Sequence, residues 1–197
     1  MNIDRIRAAT RIADVNHHRI NILGASGVGT STVGRALAVS LGVPHFESDD
    51  YYHGFSDPPF QNPRSPDERY ALITADLGGA SSWVLSGGVA GWDPDPRLDF
   101  TLMVFLWAPA LVRIERLRRR EHERFGDRIR EGGDMFEAHE KFIAWASRYD
   151  AGDVEGKTLA RHQTYLAAQS CPILELRDVV STDQAVDRIR NALAKFD

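Results

Sequence analysis

The stretch GASGVGTST, residues 24–32, sets Gly24, Gly29, Thr30 and Ser31 in the spacing G-x-x-x-x-G-K-[ST], with Thr30 standing where that pattern has lysine. Such a loop works by converging backbone N–H groups on phosphate oxygens, and it needs glycine because a Cβ would obstruct the approach. The phosphate-binding residues are accordingly Gly24, Ala25, Ser26, Gly27, Val28, Gly29, Thr30, Ser31 and Thr32. A helix that starts at Thr30 adds its dipole and its unpaired N–H donors. Ser31 falls at the hydroxyl position that binds Mg²⁺ in sites of this kind, where the ion bridges phosphate oxygens. The glycines at 24, 27 and 29 lack the G-x-G-x-x-G spacing of a dinucleotide site. Thr30 bears on catalysis more than on binding, because lysine mainly serves the transferring phosphate.

A carboxylate cluster comes next, in HFESDDYYH, residues 45–53. Glu47 can organise Mg²⁺ through its water shell, and Asp49 or Asp50 can accept a proton from a substrate hydroxyl while orienting it. The same cluster also reads as an Asp-rich turn or helix cap. An anionic acceptor needs arginines rather than a base, so Asp49 and Asp50 favour a hydroxyl acceptor. Arg64 and Arg69 stand against this as residues able to grip a carboxylate or phosphate, or they belong to an exposed helix surface. Gly87-Gly88, in LSGGVAGWD, lets a substrate approach the backbone closely. Arginines concentrate over 113–130, and Arg116 and Arg120 fall about one helical turn apart on one face, which by itself reads as part of a solvated charge run. Tyr51, Tyr52, Phe55, Phe60 and Trp92 are candidates for substrate stacking or for the core. The histidines show no metal-ligand spacing, so no zinc is expected.

These residues must be held by alternating elements. Apolar runs at 19–23, 43–47, 82–86, 101–107 and 172–176 read as strands. Helical periodicity appears after the glycine loop until Gly42, over 66–77 and 109–120, from Asp134 onward, and over 181–193. Near-continuous apolar strands alternating with helices predict an α/β fold with a five-stranded parallel sheet covered on both faces. Ile3, Ile6, Ala9 and Ala13 suggest a leading helix within residues 1–18. The proline-rich segment 51–66 and the segment 120–135, with Gly132-Gly133, read as loops or lids near a site.

The 197 residues fit a single domain. A net charge of −4 argues against a general affinity for nucleic acid or anionic lipid, so any basic site is local. One cysteine, Cys171, excludes an intrachain disulfide, and its neighbours SCPILEL make it a core residue. No secretory signal or membrane-span pattern is apparent, which predicts a cytoplasmic protein.

The loop GASGVGTST, together with the residues after it, resembles the nucleoside-monophosphate-kinase-like branch of P-loop kinases, which includes adenylate, shikimate, gluconate and uridine kinases. Its Gly-Thr form resembles that of archaeal-type cytidylate kinases. The resemblance covers about residues 19–195 and implies a three-layer α/β/α P-loop NTPase fold with a short lid. The acceptor segment would span about 48–80 and the lid about 121–147. Glu47-Ser48-Asp49 resembles the Asp-x-Asp of shikimate-kinase-like enzymes, with Glu replacing the first Asp, and Gly87-Gly88 resembles their glycine motif. The resemblance makes Arg116 and Arg120 a nucleotide-facing pair and Arg148 and Arg161 lid-closing arginines, with Asp150 and Tyr165 following. It implies ATP or another nucleoside triphosphate with Mg²⁺, and a small-molecule acceptor, in a monomer or a homodimer. Asp49, Arg120, Arg148 and Arg161 would then carry phosphoryl transfer, and the arginines would replace the charge missing at Thr30. A nucleoside-monophosphate kinase and a nucleotide-binding regulator without kinase activity are the two alternatives.

Overall fold

The computed structural model describes residues 5–7, 17–177 and 181–195. Its strands are Arg5–Arg7 (β1), Arg19–Gly24 (β2), His45–Glu47 (β3), Trp83–Ser86 (β4), Leu102–Trp107 (β5) and Ile173–Arg177 (β6). Its helices are Thr30–Leu41 (α1), Ser48–Tyr52 (α2), Pro66–Gly78 (α3), Ala110–Phe125 (α4), Phe136–Ser147 (α5), Leu159–Ala167 (α6) and Thr182–Leu193 (α7), with a 3₁₀ turn at Gly126–Ile129. Among these residues the sheet order is β1-β6-β5-β2-β4-β3. β2 to β6 run parallel, which gives the five-stranded parallel sheet that the apolar runs predict.

The alternation of side chains along the strands explains the layers. Ile20 and Ile22 of β2, Val84 of β4, Val104 and Leu106 of β5 and Leu174 and Leu176 of β6 pack with Val33 and Leu37 of α1 and with Ala185 and Ile189 of α7. Their neighbours point the other way. Trp83 and Leu85 meet Ile73 and Leu77 of α3, while Leu23, Met103, Phe105 and Ile173 meet Leu166 of α6. Because both faces are covered, the central strands bury almost no polar side chain; Asn21 and Ser86 are the exceptions, and both lie beside the site.

Local chemistry sets several boundaries. Gly42 closes α1 in the left-handed region at φ 67°. Ser65 and Glu68 form a reciprocal capping box at the start of α3, with Pro66 just inside it, and Ser181 caps α7 by accepting from the Gln184 N–H. α4 runs five residues beyond the expected end at 120, to Phe125.

One expectation needs correction. Arg5–Arg7 is a strand rather than part of a leading helix, and the rest of that expected helix up to residue 16 lies outside the described residues. The reason is the open edge of β6, whose backbone pairs antiparallel with Arg5, Ile6 and Arg7 through Glu175, Leu174 and Ile173. Helical spacing is a local signal, and an unpaired sheet edge overrides it. Among the described residues no helix is long and apolar enough to cross a membrane.

Candidate functional site

β2 ends at Gly24, at the carboxyl edge of the sheet, and the loop to α1 bends back over it. A Cβ at Gly24 would collide with the Leu106 carbonyl of β5 and approach Val28 Cγ1 to 2.9 Å. At Gly27, φ is 80° and a Cβ would strike the Arg113 carbonyl of α4, so both the turn and the packing require glycine there. Arg116 Nη1 donates to the Val28 carbonyl at 3.3 Å and ties α4 to the loop. The first N–H groups of α1 are then left facing outward at a helix N-terminus, where an anion is favoured.

The Ser31 hydroxyl donates to Glu47 Oε2 at 2.8 Å. Arg35 Nη2 lies 3.5 Å and His45 Nε2 3.8 Å from the other oxygen of Glu47. Burial raises the Glu47 pKa, and Asp49 and Asp50 add to the rise, while Ser31 and Arg35 oppose it. Two adjoining hard oxygen donors, one a carboxylate that favours an added positive charge, suit Mg²⁺. Behind them the Ser86 hydroxyl donates to the Thr30 carbonyl at 3.1 Å, so the 2.9 Å contact from His45 Nε2 to Ser86 Oγ assigns the proton to Nε2. This chain of bonds joins β3, β4 and the first residue of α1. Asn21 completes the platform by donating from Nδ2 to the carbonyls of Leu85 at 3.0 Å and Gly87 at 2.8 Å.

A cavity of about 450 Å³ opens above this platform. Gly24, Ala25, Ser26, Gly27, Thr30, Ser31, Glu47, Asp49 and Gly87 line it, as the sequence reading places them, whereas Val28, Gly29 and Thr32 do not. Its other wall comes from two further segments of the chain: His53 and Phe60 from the one, Phe125, Ile129, Met135, His139, Phe142 and Trp145 from the other. His53 and His139 each keep a buried Nδ1 without a hydrogen-bond partner among the described residues. These two segments are tied by Arg128, which reaches Asp57 at 2.7 Å while holding Asp134 at 2.7 Å.

Several predicted residues are held elsewhere. Asp50 does not line the cavity; its carbonyl, with those of Tyr51 and His53, accepts from Arg64 Nη1. Arg64 is therefore the C-terminal cap of α2, not an arm reaching for an acceptor. Arg69 stacks over Tyr52, with its guanidinium carbon 4.2 Å from the ring centroid. Gly88 lies outside the lining, next to His162. Tyr51 is core, its hydroxyl donating to Asp76 at 3.0 Å. Phe55 is exposed.

The arginines separate in the same way. Arg120 lines the cavity, but its Nε and Nη2 both donate to Glu121 Oε1, at 3.0 and 2.7 Å. Arg148 is clamped by both carboxylate oxygens of Asp153, and Arg161 projects from the exposed side of α6; neither lines the cavity. In this conformation of the chain the turn after α5 returns Asp153 to Arg148, and the first turn of α6 faces Arg161 outward. The buried arginine is Arg113, which donates to the carbonyls of Ala108 and Ala146 and pairs with Asp150. Trp107 Nε1 donates to the other oxygen of Asp150 at 3.0 Å. Sequence reasoning also passed over Lys157, Glu121, His139 and Trp145, all of which line the cavity. Glu121, His139 and Trp145 lie in no recognisable spacing, and Gly156-Lys157-Thr158 repeats only the end of the phosphate-loop pattern.

The parallel sheet, the glycine loop and the helix after it define a P-loop NTPase fold of the shikimate-kinase type. The shikimate kinase of Aquifex aeolicus superposes with a TM-score of 0.51 at 19% identity, covering 90% of this chain and 96% of that one. The shikimate kinase of Acinetobacter baumannii, solved with shikimate, gives 0.51 at 17% identity over 93% of this chain and 97% of its own. A gluconokinase from Sinorhizobium meliloti gives 0.50 at 18%, over 90% and 92%. No protein-family model matches the chain. In sequence it is 42% identical over 175 residues to the uncharacterized protein YqaC of Bacillus subtilis (strain 168), covering 89% of this chain and 97% of that protein. The chain belongs to the YqaC family.

Proposed function

We propose that this protein is a small-molecule kinase that moves the γ-phosphoryl group of a Mg²⁺-nucleoside triphosphate, ATP in the first instance, to an acceptor hydroxyl. The observation that carries the reading is one cavity lined by the glycine loop, by the Ser31–Glu47 pair and by the Asp49 carboxylate. The loop and the N-terminus of α1 bind and orient phosphate oxygens. Ser31 and Glu47 would hold Mg²⁺, which when bound neutralises phosphate charge and aligns the reacting oxygens. Asp49 accepts the hydroxyl proton and orients the nucleophile. The lid wall of Phe125, Ile129 and Phe142 excludes water from the transfer.

A hydroxyl acceptor is favoured over a nucleoside monophosphate because Arg64 and Arg69 are committed to α2 and Tyr52, which leaves no acceptor-segment guanidinium for a second phosphate. Solved proteins of the same fold bearing the names shikimate kinase and gluconokinase agree with that preference. The test is acceptor-dependent ADP release across panels of sugars, hydroxy acids, nucleosides and nucleoside monophosphates. Asp49→Asn should lower kcat by about 10²–10⁴-fold, with the Kd for Mg-ATP unchanged. Phosphorylation of monophosphates alone refutes the hydroxyl reading, and binding of ATP without turnover of any acceptor favours a regulator.

A further inference from the structure

A loop that presents phosphate with backbone donors alone leaves the terminal phosphate short of positive charge. Thr30 offers none, and Arg148 and Arg161, which the family resemblance suggests as replacements, lie off the cavity. The charged side chains that do line it are Glu47, Asp49 and Glu121 against Arg120 and Lys157. Arg120 already gives two hydrogen bonds to Glu121. Lys157, by contrast, makes no hydrogen bond or ion pair with the described residues, although it is half-buried and belongs to a chain with only two other lysines, Lys141 and Lys195.

An unpaired ammonium on a freely moving loop would mean little. Here the backbone on both sides of Lys157 is fixed. The Trp145 indole N–H donates to the Glu155 carbonyl at 3.0 Å, and Trp145 lines the same cavity. Thr158 is buried and caps α6 by accepting from the Arg161 N–H at 3.2 Å, while the Leu159 N–H donates to the Tyr149 carbonyl at 3.0 Å. Lys157 therefore projects from the connection between α5 and α6 with its base anchored and its flexible four-carbon stem able to follow a phosphate. Its charge also reaches His162, which burial and then Lys157 hold down to a pKa of about 4. That imidazole stays neutral at pH 7 and does not compete for an anion.

Resting on the kinase reading above, we propose that Lys157 is a catalytic residue: its ammonium contacts the terminal phosphate of the bound nucleoside triphosphate and supplies from the α5–α6 connection the charge that the loop lacks at Thr30. In the transfer, the bond from the acceptor oxygen to the γ-phosphorus forms as the β,γ-bridging bond breaks. The hydroxyl proton goes to Asp49 and the electron pair leaves on the diphosphate, while the ammonium keeps its proton throughout.

The test measures binding of Mg-ATP and Mg-ADP by titration calorimetry, together with acceptor-dependent turnover, in the unsubstituted protein, in Lys157→Met, in Lys157→Arg and in the double variant that combines Lys157→Met with Thr30→Lys. Lys141→Met, on the exposed face of α5, controls for loss of surface charge. Lys157→Met should weaken Mg-ATP about tenfold or more while leaving Mg-ADP within about twofold, since a contact with the terminal phosphate is worth that much when charge-assisted. Lys157→Arg should keep most of the affinity, and adding Thr30→Lys to Lys157→Met should restore it by returning charge to the loop. Equal affinity of Lys157→Met and the unsubstituted protein for Mg-ATP overturns the proposal, as does equal loss for ATP and ADP with no rescue by Thr30→Lys. Lys157-dependent ATP binding without turnover of any acceptor supports the Lys157 contact with phosphate but overturns both the kinase reading and the catalytic role. Absence of any ATP binding overturns both proposals.

Discussion

Asp150→Ala should destabilise the protein by about 3 kcal/mol, and the reasoning starts from Arg113. Its side chain is 0% exposed and its guanidinium is met by the Ala108 and Ala146 carbonyls and by Asp150, which is itself 32% exposed. Removing the carboxylate leaves a buried cation with carbonyl partners only, and breaking such a pair typically costs about 3–5 kcal/mol. The lower end applies because water reaches the Asp150 side and takes over part of the solvation. For a chain of this length that loss corresponds to a fall in Tm of roughly 6–12 °C. Asp150→Asn keeps one acceptor oxygen, for Arg113 or Trp107, but loses the charge and turns an NH2 donor against the other N–H, so it should recover only part of the loss, about 1 kcal/mol. Urea unfolding followed by circular dichroism reads both. The effect should extend to the site, because the Arg113 carbonyl packs on Gly27: Mg-ATP binding should weaken in Asp150→Ala at temperatures where the protein is still folded. A loss below about 1 kcal/mol for Asp150→Ala would show that the pair is already solvated and that the argument from burial fails.

Gly27→Ala combines an unfavourable positive φ with contact against the Arg113 backbone, and should cost about 1–3 kcal/mol in thermal melts and abolish nucleotide binding. The His162 pKa is lowered to about 4 from its unfolded value near 6.5, so its contribution to stability is complete above the unfolded value and is lost as pH falls from there towards 4. His162→Gln should flatten the stability profile across that window, as read by urea midpoints at a series of pH values. Glu47 has the opposite linkage: its pKa is raised, so its ionisation costs stability as pH rises through the folded pKa. Glu47→Gln should therefore be more stable than the unsubstituted protein at pH 7 without metal, and should gain less from added Mg²⁺, which melts with and without the ion will show.

The parts of the site that were legible in the sequence are those whose chemistry is local. Gly24, Gly27, Gly29 and Ser31 declare themselves by spacing because one tight turn must satisfy backbone geometry and a helix start together. The five parallel strands were legible for a similar reason, since burial on both faces leaves runs such as LMVFLW without interruption. Arg148 shows the limit. The family resemblance makes it a lid-closing arginine, while in this conformation Asp153, five residues on, holds it with both oxygens, and no spacing rule distinguishes that clamp from a lid arginine. Arg113, Arg116 and Arg120 all lie within one helix, and only the packing of α4 against Ala146 and Asp150 determines that Arg113 is the buried one. Lys157 was passed over because Gly156-Lys157-Thr158 repeats only the end of the pattern G-x-x-x-x-G-K-[ST], with Ala151 at its first position and no strand before it; Trp145 and Tyr149, brought back from α5 and the residues after it, place it at the cavity. β1 was misread because its partner strand lies more than 160 residues further along the chain.

The tie between Asp57 and Arg128 joins two segments that line the cavity. Both partners are solvent-accessible, at 69% and 39%, so the tie is weak. It is broken in a fraction of the molecules at any moment, without help from a ligand. Ions in solution screen the pair and raise that fraction. Where this tie alone limits access, the association rate of an uncharged acceptor should increase with ionic strength, the reverse of the salt dependence expected for a triphosphate drawn to the loop.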